Sequence, residues 1–388
     1  MKIAGIIAEY NPFHRGHAWH IAETRRLTGC DYVIVCMDGH FTQRGEPAMC
    51  SKWARTRAAL SCGADAVFEL PTLYAVRTAD AFARGGVAIL GGLGTDILSF
   101  GCEVADADLV LKLAQLRDNE PTSVSETIAE KLKQGHSHAR AQGEAIAEYL
   151  GLSSALLNQP NLTLATEYAR ANARYHTEMS LCPVLRRGEY HDENLSAMSS
   201  AAAIRAAFQR GEYEAALGGL PEAARPFGVP DAMHAMDDLL LFRLRSMSLE
   251  DMRRLPDVSE GLEQRLYKHC RLHSTRADLL AALKCKRYTH ARLSRLLTHA
   301  LLGMTQTELE AHPMPTYARL LGIRRGAAPL LSELKSRATI DIAASTRLIR
   351  EDPVFMLENR ATDIWALLHD RAEERLPGRE LTERFITV

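Results

Sequence analysis

The stretch IAGIIAEYNPFHRGH, residues Ile3–His17, combines an apolar run, a turn and the start of a histidine-rich helix. The run IAGIIA has the length and composition of a buried strand. Asn11-Pro12 favours a turn, and Gly16 opens a segment whose apolar residues have helical spacing. The stretch therefore predicts a buried strand that turns directly into a helix.

Outward from this stretch, strand and helix patterns alternate. Helical spacing is found in GHAWHIAETRRLTG, SKWARTRAALSCG and TADAFARGGVAILGG, and strand-like runs are DYVIVCM, AVFELP, DILSFG and, further on, SLCPVLRRG. Alternation of this kind predicts a parallel sheet with helices on both faces. We therefore predict an α/β, Rossmann-like fold for the first part of the chain.

The segment Gly211–Asp231 is dense in glycine and proline, which is typical of a boundary. Beyond it, strand signals almost vanish and apolar residues recur every three to four positions. We predict two domains, an α/β domain at 1–228 and a mostly α-helical domain at 229–388.

Charge is distributed unevenly along the chain. The whole sequence has a formal net charge of -1, yet Gln264–Arg350 contains 16 Lys and Arg against 5 Asp and Glu. A neutral protein with one concentrated basic segment is expected to present a surface to a polyanion. The alternative is that these arginines cover helix faces that have no partner.

Other bulk features exclude several classes of protein. No apolar run approaches the roughly 18 residues of a membrane helix, and the N-terminus lacks the pattern of a signal peptide. The eight cysteines are scattered without a CxxC pair, so neither a zinc ribbon nor a disulfide framework is indicated. We expect a cytoplasmic protein with reduced thiols and no membrane association, and the sequence leaves its oligomeric state open.

The evenly spaced histidines His14, His17 and His20 permit three interpretations. Their spacing is uncommon for a closed zinc site and no thiolate is near, so we predict no metal ligands. One or two rings could simply bond to the backbone. The third interpretation is an anion site, because Gly16 lets the backbone approach a ligand closely at a helix N-terminus, where amides and histidines donate to phosphate.

In this context the motif resembles that of the HxGH nucleotidyltransferases. In that superfamily the glycine leaves room for adenine, and the histidines hold the triphosphate while the α-phosphorus is attacked. The resemblance implies a second signature late in the domain. SSAAAIR fits it, retaining Ser200 and Arg205 but with Ala202 in place of the usual threonine. Ser200 would cap a helix, bind phosphate, or do both.

A narrower resemblance follows from motifs along nearly the whole chain. In order, they are EYNPFHRGH, GHFTQRGEPAMCSKWARTRAAL, FELP, SFGCE, NQPNLTLATEYARA, RRGEYHD, KRYTHARLSRLLTHALLGM and YARLLGIRRGAAPLL. Together they resemble the bacterial tRNA(Met) cytidine acetate ligase family. Membership would imply ATP-dependent activation of acetate as acetyl-adenylate. The acetyl group would then pass to the wobble cytidine of elongator tRNA(Met), giving N4-acetylcytidine, AMP and pyrophosphate.

The resemblance also implies an ATP site, with Mg²⁺ bridging the phosphates. Because Arg186 and Arg187 are adjacent, either could supply the nucleotide contact. The residues predicted to bind ATP are Ile7, Ala8, Glu9, Tyr10, Asn11, Pro12, Phe13, His14, Arg15, Gly16, His17, Ala18, Trp19, His20, Gly101, Asn161, Arg186, Arg187, Ser200 and Arg205.

Catalysis is predicted to depend on His14 and His17 together with Lys52 or Arg44. The last two follow the second strand, and the carboxyl ends of parallel strands share one edge of a sheet. There a cation would neutralise the leaving pyrophosphate or the acetate. The alternative for Lys52 and Arg44 is surface ion pairing.

Transfer to RNA requires an unpaired cytosine and cations for the flanking phosphates. The two basic motifs in the second domain are the candidates for this contact. The residues predicted to bind tRNA are Lys286, Arg287, Arg292, Arg295, Arg324 and Arg325.

Two other functions stay open on the sequence. A small-molecule adenylyltransferase of the same superfamily would explain the first domain, but it would not need the long basic segment. A non-catalytic RNA-binding protein would explain the basic segment, but it would leave the HxGH and SSAAAIR motifs without a purpose.

Overall fold

The computed structural model describes residues 1–136, 138–186, 199–230, 236–285 and 287–388, apart from the side chains of residues 138 and 139. In this part of the chain it contains an eight-stranded sheet and twenty α-helices. The strands are β1 (Ile3–Ala8), β2 (Tyr32–Asp38), β3 (Ala66–Leu70), β4 (Ile97–Cys102), β5 (Ser180–Leu185), β6 (Tyr317–Ile323), β7 (Asp341–Ala343) and β8 (Ile386–Thr387).

Most of the helices fall between or after these strands. The first eleven are α1 (Arg15–Thr28), α2 (Lys52–Ser61), α3 (Thr72–Ala75), α4 (Ala79–Gly92), α5 (Ala107–Asp118), α6 (Thr122–Lys133), α7 (His138–Leu150), α8 (Ser154–Leu157), α9 (Pro160–Arg174), α10 (Ala201–Gln209) and α11 (Tyr213–Gly218). The others are α12 (Asp237–Ser246), α13 (Leu249–Arg253), α14 (Leu262–His269), α15 (Arg276–Leu283), α16 (His290–Leu302), α17 (Gln306–Ala311), α18 (Ala328–Arg337), α19 (Pro353–Ala366) and α20 (Arg379–Thr382). Short 3₁₀ turns occupy Glu222–Phe227, Thr346–Leu348 and Ala372–Arg375.

The sheet has the strand order β5-β4-β1-β2-β3-β6-β7, with β8 also paired to β6. The five strands from β5 to β3 are all parallel. Successive residues of β1 enter two different cores, since Ile3 and Ile7 belong to one apolar cluster and Ala4 and Ile6 to the other. This two-sided burial confirms the predicted α/β fold with helices on both faces of the sheet.

Local capping explains where the first helices begin and end. His14 is the N-cap of α1, and Gly29, with φ of 61°, closes that helix in the left-handed conformation. Ser51 caps α2 by accepting a hydrogen bond from the backbone N–H of Ala54. These elements match the predicted ones because their signals are local.

The C-terminal part of the chain is mostly helical, as predicted, but it also extends the sheet. β6 pairs antiparallel with β3, with Ala66 opposite Ile323, and β7 and β8 pair with β6. Every residue of β6 is buried, so its sequence YARLLGI lacks the alternation that marks a half-exposed strand. The predicted division at 228/229 stays a prediction, and it does not coincide with an edge of the sheet.

Among the described residues, no helix is both long enough and apolar enough to span a membrane. All eight cysteines are free thiols.

Candidate active site

A cavity of about 840 Å³ lies at the carboxyl ends of β1 and β4. These two strands are neighbours at the point where the strand order reverses. β2 and β3 lie on one side of β1, whereas β4 and β5 lie on its other side. In open parallel sheets, ligands bind in the crevice that forms at such a reversal.

Most residues of the predicted ATP site line this cavity. They are Ile7, Ala8, Glu9, Tyr10, Asn11, His14, Gly16, His17, Trp19, His20, Gly101, Asn161, Arg186, Ser200 and Arg205. The structure thus brings the two predicted signatures together, although their binding of ATP stays a prediction. Arg187 lies outside the described residues.

Four other residues of the predicted ATP site do not line the cavity, and their contact with ATP stays a prediction. Phe13 is 1% exposed and packs edge-on against Tyr10. Ala18 packs against the apolar cluster that contains Tyr10 and Phe13. Pro12 is buried in the turn, and Arg15 is exposed with its Nε bonded to the carbonyl of Gly218. A turn between a strand and a helix points only some side chains at the ligand.

His14 and His17 form the start of α1 and face the cavity at the same time. Their rings stack with centroids 3.7 Å apart. Nδ1 of His14 accepts a hydrogen bond from the backbone N–H of Gly16 at 3.0 Å, and Nδ1 of His17 accepts one from the backbone N–H of His14 at 3.2 Å. In a neutral ring whose Nδ1 accepts, the proton is on Nε2. Both rings are therefore fixed as Nε2–H donors.

The protonation of these rings follows from their surroundings. Burial, together with Arg186 and Arg205, lowers the pKa of His14 to about 3. Burial and Arg186 lower the pKa of His20 to about 4, and burial with the neighbouring histidines lowers the pKa of His17. At neutral pH the rings are uncharged donors, and the positive charge beside them comes from arginine and the N-terminus of α1.

Gly16 is required by the position of the His14 ring. A Cβ atom at residue 16 would lie 2.8 Å from Cε1 of His14, closer than real Cβ contacts. The sequence suggested that this glycine leaves room for a nucleotide. The structure adds that it leaves room for the ring that caps α1.

His20 has a different environment from the other two histidines. Its Nε2 lies 3.1 Å from Oγ of Ser99, and Ser99 in turn bonds to Thr24. His20 therefore joins α1 to β4 at the edge of the cavity. The three rings do not converge on one point as metal ligands would.

The second signature lies against the first. Ser200 is the N-cap of α10, where its hydroxyl accepts from the backbone N–H of Ala203 at 3.2 Å. Arg205, one turn later, donates from Nη1 to the carbonyl of Asn11 at 2.7 Å. Ser200 is thus a cap that also lines the cavity, and Arg205 ties α10 to the loop after β1.

Gly101 and Asn161 occupy the β4 side of the cavity. The Arg186 side chain passes over Gly101, where a Cβ would lie 3.5 Å from its Cγ. Nδ2 of Asn161 donates to Glu103 at 2.6 Å, which fixes the start of α9 against the end of β4. Leu164 and Tyr168 follow Asn161 on the face of α9 that lines the cavity.

The opposite wall comes from the C-terminal part of the chain. His290, Ala291, Ser294 and Arg295 of α16 line the cavity together with the loop from Thr42 to Glu46. Oγ of Ser294 donates to the carbonyl of Arg44 at 2.7 Å, and Oγ1 of Thr298 donates to that of Gly45 at 2.7 Å. The cavity is therefore built by both parts of the chain.

The predicted catalytic cations have different positions. Arg44 is exposed and lines the cavity, so it can reach a bound anion. Lys52 is fully buried outside the cavity, and its Nζ pairs with Glu69, Glu380 and, at 3.1 Å, Glu358. The catalytic role of Lys52 stays a prediction, and the carboxylates that already neutralise its charge favour a structural role instead.

The same cluster has the composition of a metal site. Within the described residues, the one set of ligand atoms close enough to share a metal ion is that of His40, Glu358 and Glu380. The ammonium of Lys52 already lies among these carboxylates, and Nε2 of His40 accepts the backbone N–H of Lys52 at 3.3 Å. A buried ion-pair cluster accounts for the arrangement.

The predicted tRNA-binding residues do not form one surface. Arg287 is 75% exposed just before α16, and Arg292 lies over the Tyr288 ring. Arg295 is 7% exposed, with its Nε 3.7 Å from Asp257, and it lines the cavity, so its contact with tRNA stays a prediction. Lys286 lies outside the described residues.

Arg324 and Arg325 lie at the end of the sheet opposite the cavity, and their contact with tRNA stays a prediction. Because β6 runs antiparallel to β3, its carboxyl end meets the amino end of β3, opposite the cavity. Nε of Arg324 donates to Asp65 at 3.0 Å, and the backbone N–H of Arg325 bonds to Val388.

Several cavity residues were not predicted from the sequence. The residues on α4 and α9 could have been found from the sequence. Thr78 caps a helix that follows a strand, and Asn161, Leu164 and Tyr168 have the spacing of one helix face. Those on α16 carried no signal that placed them near β1. The unpredicted lining residues are Ile6, Thr42, Gln43, Glu46, Thr78, Ala79, Phe82, Pro160, Thr163, Leu164, Tyr168, Val184, Ser199, Ala201, Ala202, His290, Ala291 and Ser294.

Comparison with known proteins shows the family of the chain. The sequence profile described as HIGH Nucleotidyl Transferase matches residues 1–379, and the chain belongs to that family. A crystal structure of Thermotoga maritima TmcAL bound with alpha-thio ATP superimposes with a TM-score of 0.91, at 29% identity, over 100% of this chain and 99% of that one.

Two curated relatives identify a more specific family. The tRNA(Met) cytidine acetate ligase of Bacillus subtilis is 35% identical over 95% of this chain and 92% of its own length. That of Clostridium perfringens is 33% identical over 95% of this chain and 96% of its own length. The chain thus belongs to the tRNA(Met) cytidine acetate ligase family.

Proposed function

We propose that the protein uses ATP to activate acetate as acetyl-adenylate and transfers the acetyl group to the wobble cytidine of elongator tRNA(Met) in the cytoplasm. The observation that carries the proposal is the cavity at the reversal of the strand order, where neutral His14 and His17 present Nε2–H donors beside the N-terminus of α1. Family membership supplies the substrates, since the relatives carry that activity in their name.

Activation requires a carboxylate oxygen of acetate to attack the α-phosphorus as pyrophosphate leaves. Positioning and electrostatic stabilisation are the protein's main contributions to such a step. The histidine donors, the N-terminus of α1, Arg186 and Arg205 surround one part of the cavity and are suited to the phosphates. Arg44 on the opposite wall is suited to the acetate or to the leaving pyrophosphate.

Mg²⁺ is proposed to accompany ATP. This ion usually keeps several waters and binds through phosphates with few protein ligands. The cavity fits that description, since oxygen-bearing side chains line it without a preformed cage of carboxylates among the described residues. Bound there, the ion would neutralise charge on the phosphates.

Transfer requires the cytosine of an unpaired loop nucleotide to enter the cavity. The α16 wall supports this, because Arg287 is exposed just before the helix and Arg292, in its first turn, lies 5.0 Å from the centroid of the Tyr288 ring. These groups can hold the phosphates that flank the inserted base. We propose Arg287 and Arg292 as tRNA contacts near the mouth of the cavity.

The test measures pyrophosphate exchange into ATP with and without acetate, followed by mass spectrometry of nucleosides from tRNA(Met). The expected results are exchange that depends on acetate and the appearance of N4-acetylcytidine. Exchange that needs a different small acceptor would indicate an adenylyltransferase instead. A complete lack of exchange, together with tRNA binding, would indicate a non-catalytic RNA-binding protein.

A further inference from the structure

Glu9 is a carboxylate at the end of β1 for which binding of ATP phosphates gives no chemical reason. Its side chain is half-buried and lines the cavity, five residues before the His14 donor. One oxygen, Oε1, accepts the backbone N–H of Gln43 at 3.1 Å, and the Glu9 carbonyl accepts from Nη1 of Arg55 at 2.6 Å. The carboxylate is therefore held in place between the histidines of α1 and the loop from Thr42 to Glu46.

A carboxylate next to ATP phosphates is unfavourable unless it has another use. Like charges repel, and the effect is larger in a site with little water. The second half-reaction supplies such a use, because the amine of cytidine must lose a proton when it becomes an amide. A positioned base commonly accelerates such steps.

The histidines of the cavity are not available for this proton. Nδ1 of His14 and of His17 already accepts a backbone N–H, which leaves Nε2 as a donor. Nε2 of His20 is engaged with Ser99. Of the other titratable cavity groups that the structure describes, Glu46 and His290 belong to the wall formed by α16 and the loop from Thr42 to Glu46.

We propose that Glu9 is the catalytic base that accepts a proton from N4 of the target cytidine during acetyl transfer. The inference rests on the proposed function and adds a residue to its second step. Glu9 qualifies because it is the carboxylate on the same strand end as the histidine donors, and the reacting carbonyl of acetyl-adenylate must lie next to the phosphate that those donors hold.

The chemical step balances as follows. N4 forms a bond to the carbonyl carbon of acetyl-adenylate, and the bond from that carbon to the phosphate oxygen of AMP breaks. AMP leaves with the electron pair, and one N4 proton passes to the Glu9 carboxylate. The products are N4-acetylcytidine, AMP and protonated Glu9, which releases its proton to solvent.

The charged groups around Glu9 determine its titration. Burial raises the pKa of Glu9, and the Gln43 N–H and the charges of Arg205, Arg44 and Arg55 partly oppose that rise. Asp38 from β2 and Tyr168 from α9 also lie close enough to interact with it. A carboxyl with a raised pKa is a stronger base than an ordinary one once it has ionised.

The experiment compares two rates in the full-length protein. Acetate-dependent pyrophosphate exchange reports activation, and a single-turnover assay with tRNA(Met), read by mass spectrometry, reports transfer. For Glu9→Gln we expect the ratio of transfer to exchange to fall by about 100-fold, the lower end of a general base contribution. The rise of the transfer rate with pH, as Glu9 ionises, should also disappear.

Three further variants make the test decisive. Glu9→Asp keeps a carboxylate and should recover part of the ratio together with the pH dependence. Glu126→Gln and Glu130→Gln remove exposed carboxylates of α6 outside the cavity and should keep the ratio near that of the unaltered protein. A fall of transfer and exchange by equal factors in Glu9→Gln would overturn the inference, as would loss of the ratio in either control. Absence of acetate-dependent exchange in the unaltered protein would instead overturn the proposed function.

Discussion

At the scale of single residues, His14 and His17 combine a structural role with a binding role. Each ring accepts a backbone N–H at Nδ1, and this bond both caps α1 and fixes the proton on Nε2. The helix start and the donor array are therefore one arrangement. Gly16 completes it, because any side chain there would displace the His14 ring.

We predict that the rings of His14 and His20 do not titrate near neutral pH. Burial and Arg186 lower the pKa of His14 to about 3 and that of His20 to about 4. A lowered pKa keeps a histidine neutral at every pH above it, so neither ring should gain charge between pH 8 and pH 5.5. Nitrogen-15 spectra of the imidazoles should show the Nε2–H tautomer of His14 throughout this range.

A short histidine-containing peptide added to the same sample provides an internal control. An unperturbed histidine titrates near pH 6.5, so the signals of the peptide should move over the range in which those of His14 and His20 stay constant. A titration of His14 or His20 near pH 6 would contradict the assignment of both rings as permanent neutral donors.

At the scale of elements, the contact between the Thr42–Glu46 loop and α16 joins the two elements that form one wall of the cavity. Gly45 has φ of +74°, and a Cβ there would lie 2.7 Å from Cα of Arg295. The loop thus approaches the helix backbone with no space for a side chain. The capped helices α1 and α2 are predictable because their signals are local, whereas the bond between Ser294 and Gly45 joins residues 249 positions apart.

We predict that Gly45→Ala separates this loop from α16. The substitution places a methyl group against backbone atoms that cannot rotate away, and overpacking of this kind costs about 1–3 kcal/mol. A left-handed φ adds roughly 1–2 kcal/mol for an alanine. Urea unfolding should show the sum of both effects, and acetate-dependent exchange should fall because Arg44 lies on the displaced loop.

Gly326→Ala is the matched control. Its φ is +85°, but a Cβ there meets no atom within 4 Å. It should lose only the roughly 1–2 kcal/mol of backbone strain and keep its exchange activity. Equal losses of stability in both variants would show that the contact with α16 contributes nothing.

At the scale of the whole molecule, the first five strands were predictable and the sixth was not. β1 to β5 alternate with helices along the chain, whereas the partner of β6 lies about 250 residues away in β3. This pairing also determines where Arg324 and Arg325 lie. A basic motif in the sequence gives its charge but not the edge of the sheet on which that charge is displayed.

We predict that two charge reversals of equal size have different effects on tRNA binding. Arg287→Glu, near the mouth of the cavity, should weaken binding and lower the slope of log affinity against log salt by about one, as expected for a lost phosphate contact. Its exposed pair with Glu260 contributes little to stability. Arg325→Glu, at the opposite edge, should change neither quantity. Binding of tRNA(Met) at several salt concentrations measures both, and a larger effect of Arg325→Glu would contradict the proposed approach of the tRNA.

Lys52 connects both parts of the chain, because it joins α2 to carboxylates of β3, α19 and α20. Arg319 of β6 pairs with Glu69 and Glu380 of the same cluster. Burial lowers the pKa of Lys52, but Glu358, Glu380 and Glu69 raise it by more, so the ammonium stays charged. The sequence suggested a catalytic lysine because Lys52 follows the second strand. The cluster itself could not be predicted, because two of the partners, Glu358 and Glu380, lie over 300 residues away.

We predict that Lys52→Met destabilises the protein by about 3–5 kcal/mol, the usual cost of removing one partner from a buried ion pair. Glu69 and Glu380 would keep their pairs with Arg319, whereas Glu358 would lose its pair with Lys52, and urea unfolding measures the loss. Lys335→Met removes an exposed lysine and should change stability by no more than about 0.5 kcal/mol. The remaining folded Lys52→Met protein should catalyse acetate-dependent exchange at a rate per folded molecule close to that of the unaltered protein, because Lys52 lies outside the cavity. Loss of exchange with unchanged stability would restore the catalytic role and contradict the structural one.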